Sequence, residues 1–464
     1  MKIHEIQQEP FIKVGVMSAK EHYFSLLTNC SLNESLYLPA GDYHITLEKH
    51  LLQLYHSSAE SADISEELIF EGETCSIVAQ PVTQKEPDFP EANFCLHAVR
   101  IGVDFHWDRL QRQYFPGELH FIIDREEDKI VAINHLKLES YLACVIASEM
   151  NAHAHLELLC AHAIISRSWL LAQALGQRET AVSSCGYDNE EEHIRWYERD
   201  AHQLFDVCAD DHCQRYQGCS KACTPQLAKA MSITRGIVLA HEEEICDARF
   251  YKCCGGLSEH FESCWSDSPK AYLKSIYDHA PTRAKAQDLR NEAQARAFIL
   301  SSPPAFCNTR NQEVLQQVLN DYDQETADFY RWNVHYDVDE LSAIVRERSG
   351  IDFGRIQALI PVQRGASARL VKLKIVGEKR SLIVGKELEI RKFLSRTHLY
   401  SSAFVVDECR DPKGNLTGFN LQGAGWGHGV GLCQIGAAMM SEQGYQHKEI
   451  LQHYYPQAQL LQLY

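Results

Sequence analysis

The stretch Leu156-Glu157-Leu158-Leu159-Cys160-Ala161-His162-Ala163-Ile164-Ile165-Ser166-Arg167-Ser168-Trp169-Leu170-Leu171 is apolar nearly all round at helical period. A helix without a polar face has to be enclosed, so the rest of the chain must supply a shell. The shell reads as strands. Phe11–Val16 alternates, Gly41–Leu47 is a turn feeding a strand, and Gly117–Asp124 gives the clearest alternation. Residues 98–104 and 118–134 continue that pattern.

At Leu138 the period becomes helical and stays so to about Gly176, with Asn151 as the expected N-cap of the enclosed helix. Residues 180–224 are polar, carry Cys and His, and read as loops. Residues 226–280 read as short strands with a Gly255-Gly256 turn, and 284–352 as a charged helical insertion. Strands resume at Ala368–Gly377, and the chain ends on a glycine-rich loop at 423–436 and one helix from about 434 to 453. The expected fold class is α+β: β-rich lobes around a buried helix, with a catalytic cleft between Glu149 and the 423–436 loop. The expected divisions are 1–95, 96–283, 284–352 and 353–464.

The charge narrows the partners. A formal charge of −18 opposes binding to a phosphate backbone, so no nucleic acid is expected, while an uncharged glycan is permitted. The start, Met1 to Pro10, shows no apolar signal core, and no run approaches the ~18 apolar residues of a membrane span. A cytoplasmic site is the expectation for a chain that begins there. Seventeen cysteines is an odd number and cannot all pair within the chain, so most are expected as free thiols, many of them buried.

Four constellations can carry chemistry. Glu149 follows an apolar stretch, Tyr141 to Ser148, and precedes the enclosed helix. A carboxylic acid against apolar surface holds its proton more tightly and can act as a general acid, whereas at a helix start it would simply be an exposed carboxylate. Gly423 to Ala437 alternates glycine with Trp426, His428 and Val430. There His428 and Gln434 are placed to bond sugar hydroxyls and Trp426 to wall a cleft, unless the loop is only structural. His202, Cys208, His212 and Cys213 suit a tetrahedral zinc, with Cys219 and Cys223 as competing ligands. Cys254, in Tyr251-Lys252-Cys253-Cys254-Gly255-Gly256, either lines the cleft on the substrate side or ends a strand at a glycine turn.

The order of these pieces resembles the stage II sporulation protein D/LytB amidase-enhancer family (SpoIID/LytB). Ile133 to Leu142 followed by Ser148-Glu149-Met150 is similar to that family's opening motif. Leu159–Leu171, with Ala163 and Arg167-Ser168-Trp169, resembles its alanine- and arginine-bearing helix. Gly425–Ala437 is close to its GWGHGVG segment, and Glu442–Tyr445 with His453–Pro456 resembles its ending. The similarity runs from about Phe11 to the C-terminus and is least at 284–340.

The resemblance implies a lytic transglycosylase acting on peptidoglycan strands stripped of stem peptides, with Glu149 as the catalytic acid. It implies that Arg167, His428 and Gln434 position the sugar or the acid, and that a zinc near the cleft rests on His and Cys residues. It also implies a location outside the cytoplasm. The family's amidase-enhancer branch offers a different reading: a non-catalytic regulator binding glycan or a cell-wall amidase. Processing of recycled wall fragments inside the cell is a third. The chain departs from the family where Cys253 and Cys254 replace hydroxyl residues, and where Cys433 and Ile435 stand in the last glycine-rich motif.

Overall fold

The computed structural model describes residues 6–60, 63–80, 89–102, 109–175, 185–197, 202–210, 212–280, 288–319 and 328–464. The fold is α+β. Two sheets, antiparallel except where Val207–Cys208 joins in parallel, form the N-terminal lobe. One has six strands in the order Arg109–Phe115, Phe94–Ile101, Glu21–Leu26, Gly41–Glu48, Leu51–Glu60, Asp63–Gly72. The other has seven, in the order Val207–Cys208, Phe11–Ala19, Lys129–Lys137, Glu118–Asp124, Thr74–Ala79, Cys30–Leu32, Leu36–Leu38. Alternation in Glu118–Asp124 puts Leu119, Phe121 and Ile123 into the core, as the period-2 pattern requires. Both sheets use strands beyond residue 95, so the expected division at 95 falls inside the β lobe.

The strand Lys129–Lys137 runs directly into helix α1 (Leu138–Glu149), and α2 (Leu156–Leu170) follows. Every residue of α2 from Leu158 to Leu170 is buried, and one further turn, Leu171–Leu175, winds wider as a π-helix. Each buried Leu or Ile in α2 contributes about 1.5–3 kcal/mol over an exposed one, so α2 anchors the core. Its N-cap is His155, not Asn151. The Asn151 side chain accepts instead from His153 N, 2.9 Å away, closing the turn between the helices.

Helix α3 (Pro225–Thr234) packs on α2; the Thr224 hydroxyl caps it and Pro225 opens it. Strands had been expected there. The helix has one buried stripe, Leu227, Ala230, Met231 and Thr234, which short-range pattern reading passed over.

A second core lies at 331–421. Its strands Arg331–Asp337, Leu416–Ala424 and Phe404–Arg410 form one sheet. A second sheet orders Cys185–Asp188, Glu192–Trp196, Ser381–Gly385, Leu370–Gly377 and Ile356–Arg364. Helix Val338–Ser349 packs on this core, so the division at 352 cuts a packed unit, and the segment 284–352 contains a strand besides its helices. The expected C-terminal helix is two, Gln434–Glu442 and His447–Tyr454, broken at Gly444, whose φ is +88°. Among the described residues no helix is long and apolar enough to cross a membrane.

Candidate active site and metal centre

Glu149 is the last residue of α1 and is half-buried. A helix start would have favoured its charge; the C-terminal end does not. Oε1 accepts from Arg215 N at 3.0 Å, and the neighbouring Ser148 hydroxyl accepts from Gln217 N at 3.0 Å. One segment, 206–217, thus grips the end of α1 twice. That segment, with Gly15–Ser18, Ala98–Gly102 and Gln113, lines a cavity of about 350 Å³ into which Asp210, Arg215 and Gln217 contribute polar groups.

The same segment brings His202, Cys208, His212 and Cys213 together, with one ligand atom of each within 4.8 Å of the others. Cys213 Sγ lies 3.4 Å from His202 Nε2 and 3.6 Å from His212 Nδ1, and Cys208 Sγ lies 3.9 Å from His212 Nδ1. Zinc bonds of about 2.0–2.3 Å at tetrahedral angles separate neighbouring ligand atoms by roughly 3.3–3.8 Å, so this donor set fits the metal. The Cys213 sulfur beside it, together with burial, pushes the Cys208 thiol up; a cation would relieve that crowding. The loop is placed by Val207–Cys208, which pairs parallel with Val14–Gly15, and by Phe205, whose ring stacks at 4.4 Å on His202. Cys219 and Cys223 do not join: one Sγ meets Tyr114 O and the other faces Ser220 O.

Arg167 is fully buried and faces away from the cavity. Its guanidinium makes a bidentate pair with Glu139, Nε at 2.9 Å and Nη2 at 2.6 Å, and donates to the Ile237 carbonyl at 2.9 Å. Glu139 also accepts from Gly236 N and the Tyr464 hydroxyl, so the pair ties α1, α2 and the C-terminus together. The expected sugar-facing role does not match this position, because all the donors point into the core.

Most of the glycine-rich loop is likewise interior, with Trp426, Gly427 and His428 partly buried. His428 Nε2–H donates to the Phe250 carbonyl at 3.0 Å, and Nδ1 accepts from Val430 N at 3.1 Å. Burial, with Arg249, Arg369 and Arg391 nearby, holds this imidazole well below its usual range, so it is neutral. Gln434 is buried; its amide donates to His162 Nε2 at 3.2 Å, and burial brings His162 down to about 3. Trp426 packs between Phe329 and Tyr400, with ring centroids 4.8 and 4.5 Å away. A Cβ at Gly431 (φ +85°) would fall 2.0 Å from the Arg249 carbonyl, and one at Gly429 2.4 Å from the Arg369 guanidinium. The glycines therefore let the loop press against buried backbone and a buried cation.

Arg369 is the residue that sequence reading missed. It is fully buried and reaches the Gly427 carbonyl through Nη2 at 3.2 Å. Only its place beside an apolar strand, Leu370–Gly377, hinted at burial. Helix Gln312–Val318 bridges the Glu149 region and this loop. Asn151 N donates to the Gln317 carbonyl, and Lys252 Nζ to the Val318 carbonyl. The expected cleft between Glu149 and the 423–436 loop is thus spanned by a helix, and Glu149 instead borders the 206–217 segment.

Residues 126–241 match the family model described as stage II sporulation protein, a span that holds Glu149, Arg167 and all four metal-site residues. Stage II sporulation protein D of Bacillus amyloliquefaciens is 24% identical over 326 residues, covering 70% of this chain and 74% of that protein. Its counterpart from Bacillus subtilis (strain 168) is 22% identical over 330 residues, covering 71% and 76%. Over these residues the chain is similar to the stage II sporulation protein D family. Residues 259–431 match a further model, described only as a domain of unknown function (DUF8618). That second match begins in the segment before the second core and ends within the glycine-rich loop, so Trp426 and His428 fall inside it and Gln434 in neither.

Proposed function

We propose that the chain is a peptidoglycan lytic transglycosylase with Glu149 as the single acid and base. The observation that carries this reading is the half-buried Glu149 carboxyl, which accepts at 3.0 Å from the amide of Arg215, a residue that lines the cavity of about 350 Å³. Glu149 gives its proton to the oxygen joining N-acetylmuramic acid to N-acetylglucosamine. The C1–O bond breaks through an oxocarbenium-like state, and the muramyl C6 hydroxyl closes on C1. Its proton returns to the Glu149 carboxylate, so one carboxyl serves both steps and no water is consumed. Asp210, Arg215 and Gln217, among the polar residues lining that cavity, would hold sugar hydroxyls.

His202, Cys208, His212 and Cys213 would hold zinc. Four protein ligands leave no open position, so the metal would supply folding energy to the 202–217 loop. These residues then act on the chemistry only by keeping the Arg215 amide against Glu149.

Incubating the protein with denuded glycan and weighing the products tests the reading. Anhydro-muramyl ends are expected. Reducing ends would convert the proposal to hydrolysis, and intact glycan would favour the family's other mode, a regulator that binds glycan or an amidase. That mode draws support from Cys253 and Cys254, buried thiols where the family motif carries hydroxyls.

A further inference from the structure

We propose that Cys254, Asp278, Cys307 and Cys433 form a second, fully enclosed zinc site that pins the glycine-rich loop to the core. All four are buried, and one ligand atom of each lies within 4.8 Å of the others. Cys254 Sγ is 3.3 Å from Cys307 Sγ and 3.3 Å from Asp278 Oδ2. Those separations are near the edge lengths of roughly 3.3–3.8 Å that zinc bonds of about 2.0–2.3 Å impose on a tetrahedron.

Two features point to an ion. The first is the direction of the amides. Cys254 N donates to Cys433 Sγ at 3.2 Å, Gly436 N to Cys433 Sγ at 3.4 Å, and Gly256 N to Cys254 Sγ at 3.3 Å. Sulfur is a weak acceptor as a thiol, and amide donors converging on it are the outer-shell pattern of ligating thiolates. Cys433 is also the N-cap of helix Gln434–Glu442, where the helix dipole favours negative charge.

The second feature is Asp278. Its carboxyl is fully buried, accepting from the Tyr454 hydroxyl at 2.7 Å and from Cys307 N at 3.0 Å. Among the described residues its one ion-pair neighbour is His453, 3.8 Å away. A buried carboxylate beside three thiols needs compensating charge, and a divalent cation at their centre supplies it. A set of three sulfurs and one oxygen prefers zinc to magnesium or calcium.

The site differs from the His202 set in place and in exposure. It joins four distant parts of the chain: the turn after strand Phe250–Tyr251, Asp278, the segment before helix Gln312–Val318, and the end of the glycine-rich loop. Its shell is closed, so its role is to hold that loop and not to touch substrate.

The test is elemental analysis of the full chain purified without added metal, joined to alkylation of native protein and peptide mapping. The expected result is two equivalents of zinc, with one retained after His202→Ala/Cys208→Ser/His212→Ala/Cys213→Ser. Cys254, Cys307 and Cys433 should resist alkylation until a chelator is added under denaturing conditions. Asp278→Asn keeps the sulfurs and should lower occupancy at this site at least tenfold. Less than about 0.1 equivalent in the four-ligand variant, far below the near-full occupancy of structural zinc, overturns the proposal. So does a Cys254–Cys307 disulfide in the mapped peptides, or iron with inorganic sulfide in place of zinc. If the four-ligand variant does not fold, zinc-dependent protection of the three thiols in the unmutated chain decides the matter.

Discussion

The two stretches that most resemble the family behave differently in the structure. Around Glu149 a half-buried carboxyl accepts from the amide of Arg215, which lines a cavity, and a partly exposed His and Cys set lies in the same segment. Around 423–436 the polar side chains are consumed, His428 by Phe250 and Val430 and Gln434 by His162, while the Trp426 ring packs against Phe329 and Tyr400. A motif can therefore persist because a loop must be packed, with no ligand involved. Distinguishing the two cases needs the partners of each polar atom, which residue types alone do not give.

The largest effect expected from this contrast is at Glu149. Glu149→Gln keeps the shape and the acceptor for Arg215 N but cannot give up a proton. Cleavage of denuded glycan should fall by about 10²–10⁴-fold, with unfolding unchanged. Near-full activity in this variant would remove Glu149 from the chemistry. His428→Gln, by contrast, should act through stability, lowering the denaturation midpoint while leaving the activity of the folded fraction intact.

Arg167 comes next. Arg167→Met leaves Glu139 buried beside Gly236 and Tyr464 without its cation, and should cost about 3–5 kcal/mol in urea unfolding. Adding Glu139→Gln should recover most of that loss, because the uncompensated charge is gone. A stable single variant with a raised KM for glycan would instead place Arg167 at the substrate.

How far the sequence could be read follows from the range of the interactions. Helix α1 was legible to its first residue, because the apolar period changes at Leu138, and α2 because no face of it is polar. That His202, Cys208, His212 and Cys213 come together was legible because all four lie within one short segment. The Cys254 set was not, since Asp278, Cys307 and Cys433 are far apart and only the fold brings them together. Arg167 was read as sugar-facing because its partner, Glu139, is 28 positions away and nothing in the sequence pairs the two.

A smaller effect is expected at Gly15. A Cβ there would fall 2.5 Å from the Phe205 ring, and Phe205 supports the His202 imidazole. Gly15→Ala should displace the ring and weaken zinc at the first site by about tenfold, near 1.4 kcal/mol. Competition with a chromogenic chelator measures it, and unchanged affinity would separate Phe205 from the metal loop.

The smallest effect belongs to Glu118, which shares a second His-bearing cluster with His120 and His135. Its Oε2 sits 2.9 Å from His120 Nε2 and 2.7 Å from His135 Nδ1, hydrogen-bond distances shorter than a metal's ligand edges. Hydrogen bonds from His120 and then His135 hold this carboxyl at about 2, against an ordinary 4.5. The folded state thus binds its proton less readily than the unfolded chain. The stabilisation is complete above about pH 4.5 and is lost as pH falls toward about 2. Because the group is partly exposed, its worth stays below about 1 kcal/mol. Unfolding of Glu118→Gln beside the unmutated protein should therefore show a gap that is steady above pH 4.5 and closes on acidification. A gap of constant size from pH 6 down to pH 2 would mean that the histidines hold the carboxyl by shape alone, with no preference for its charge.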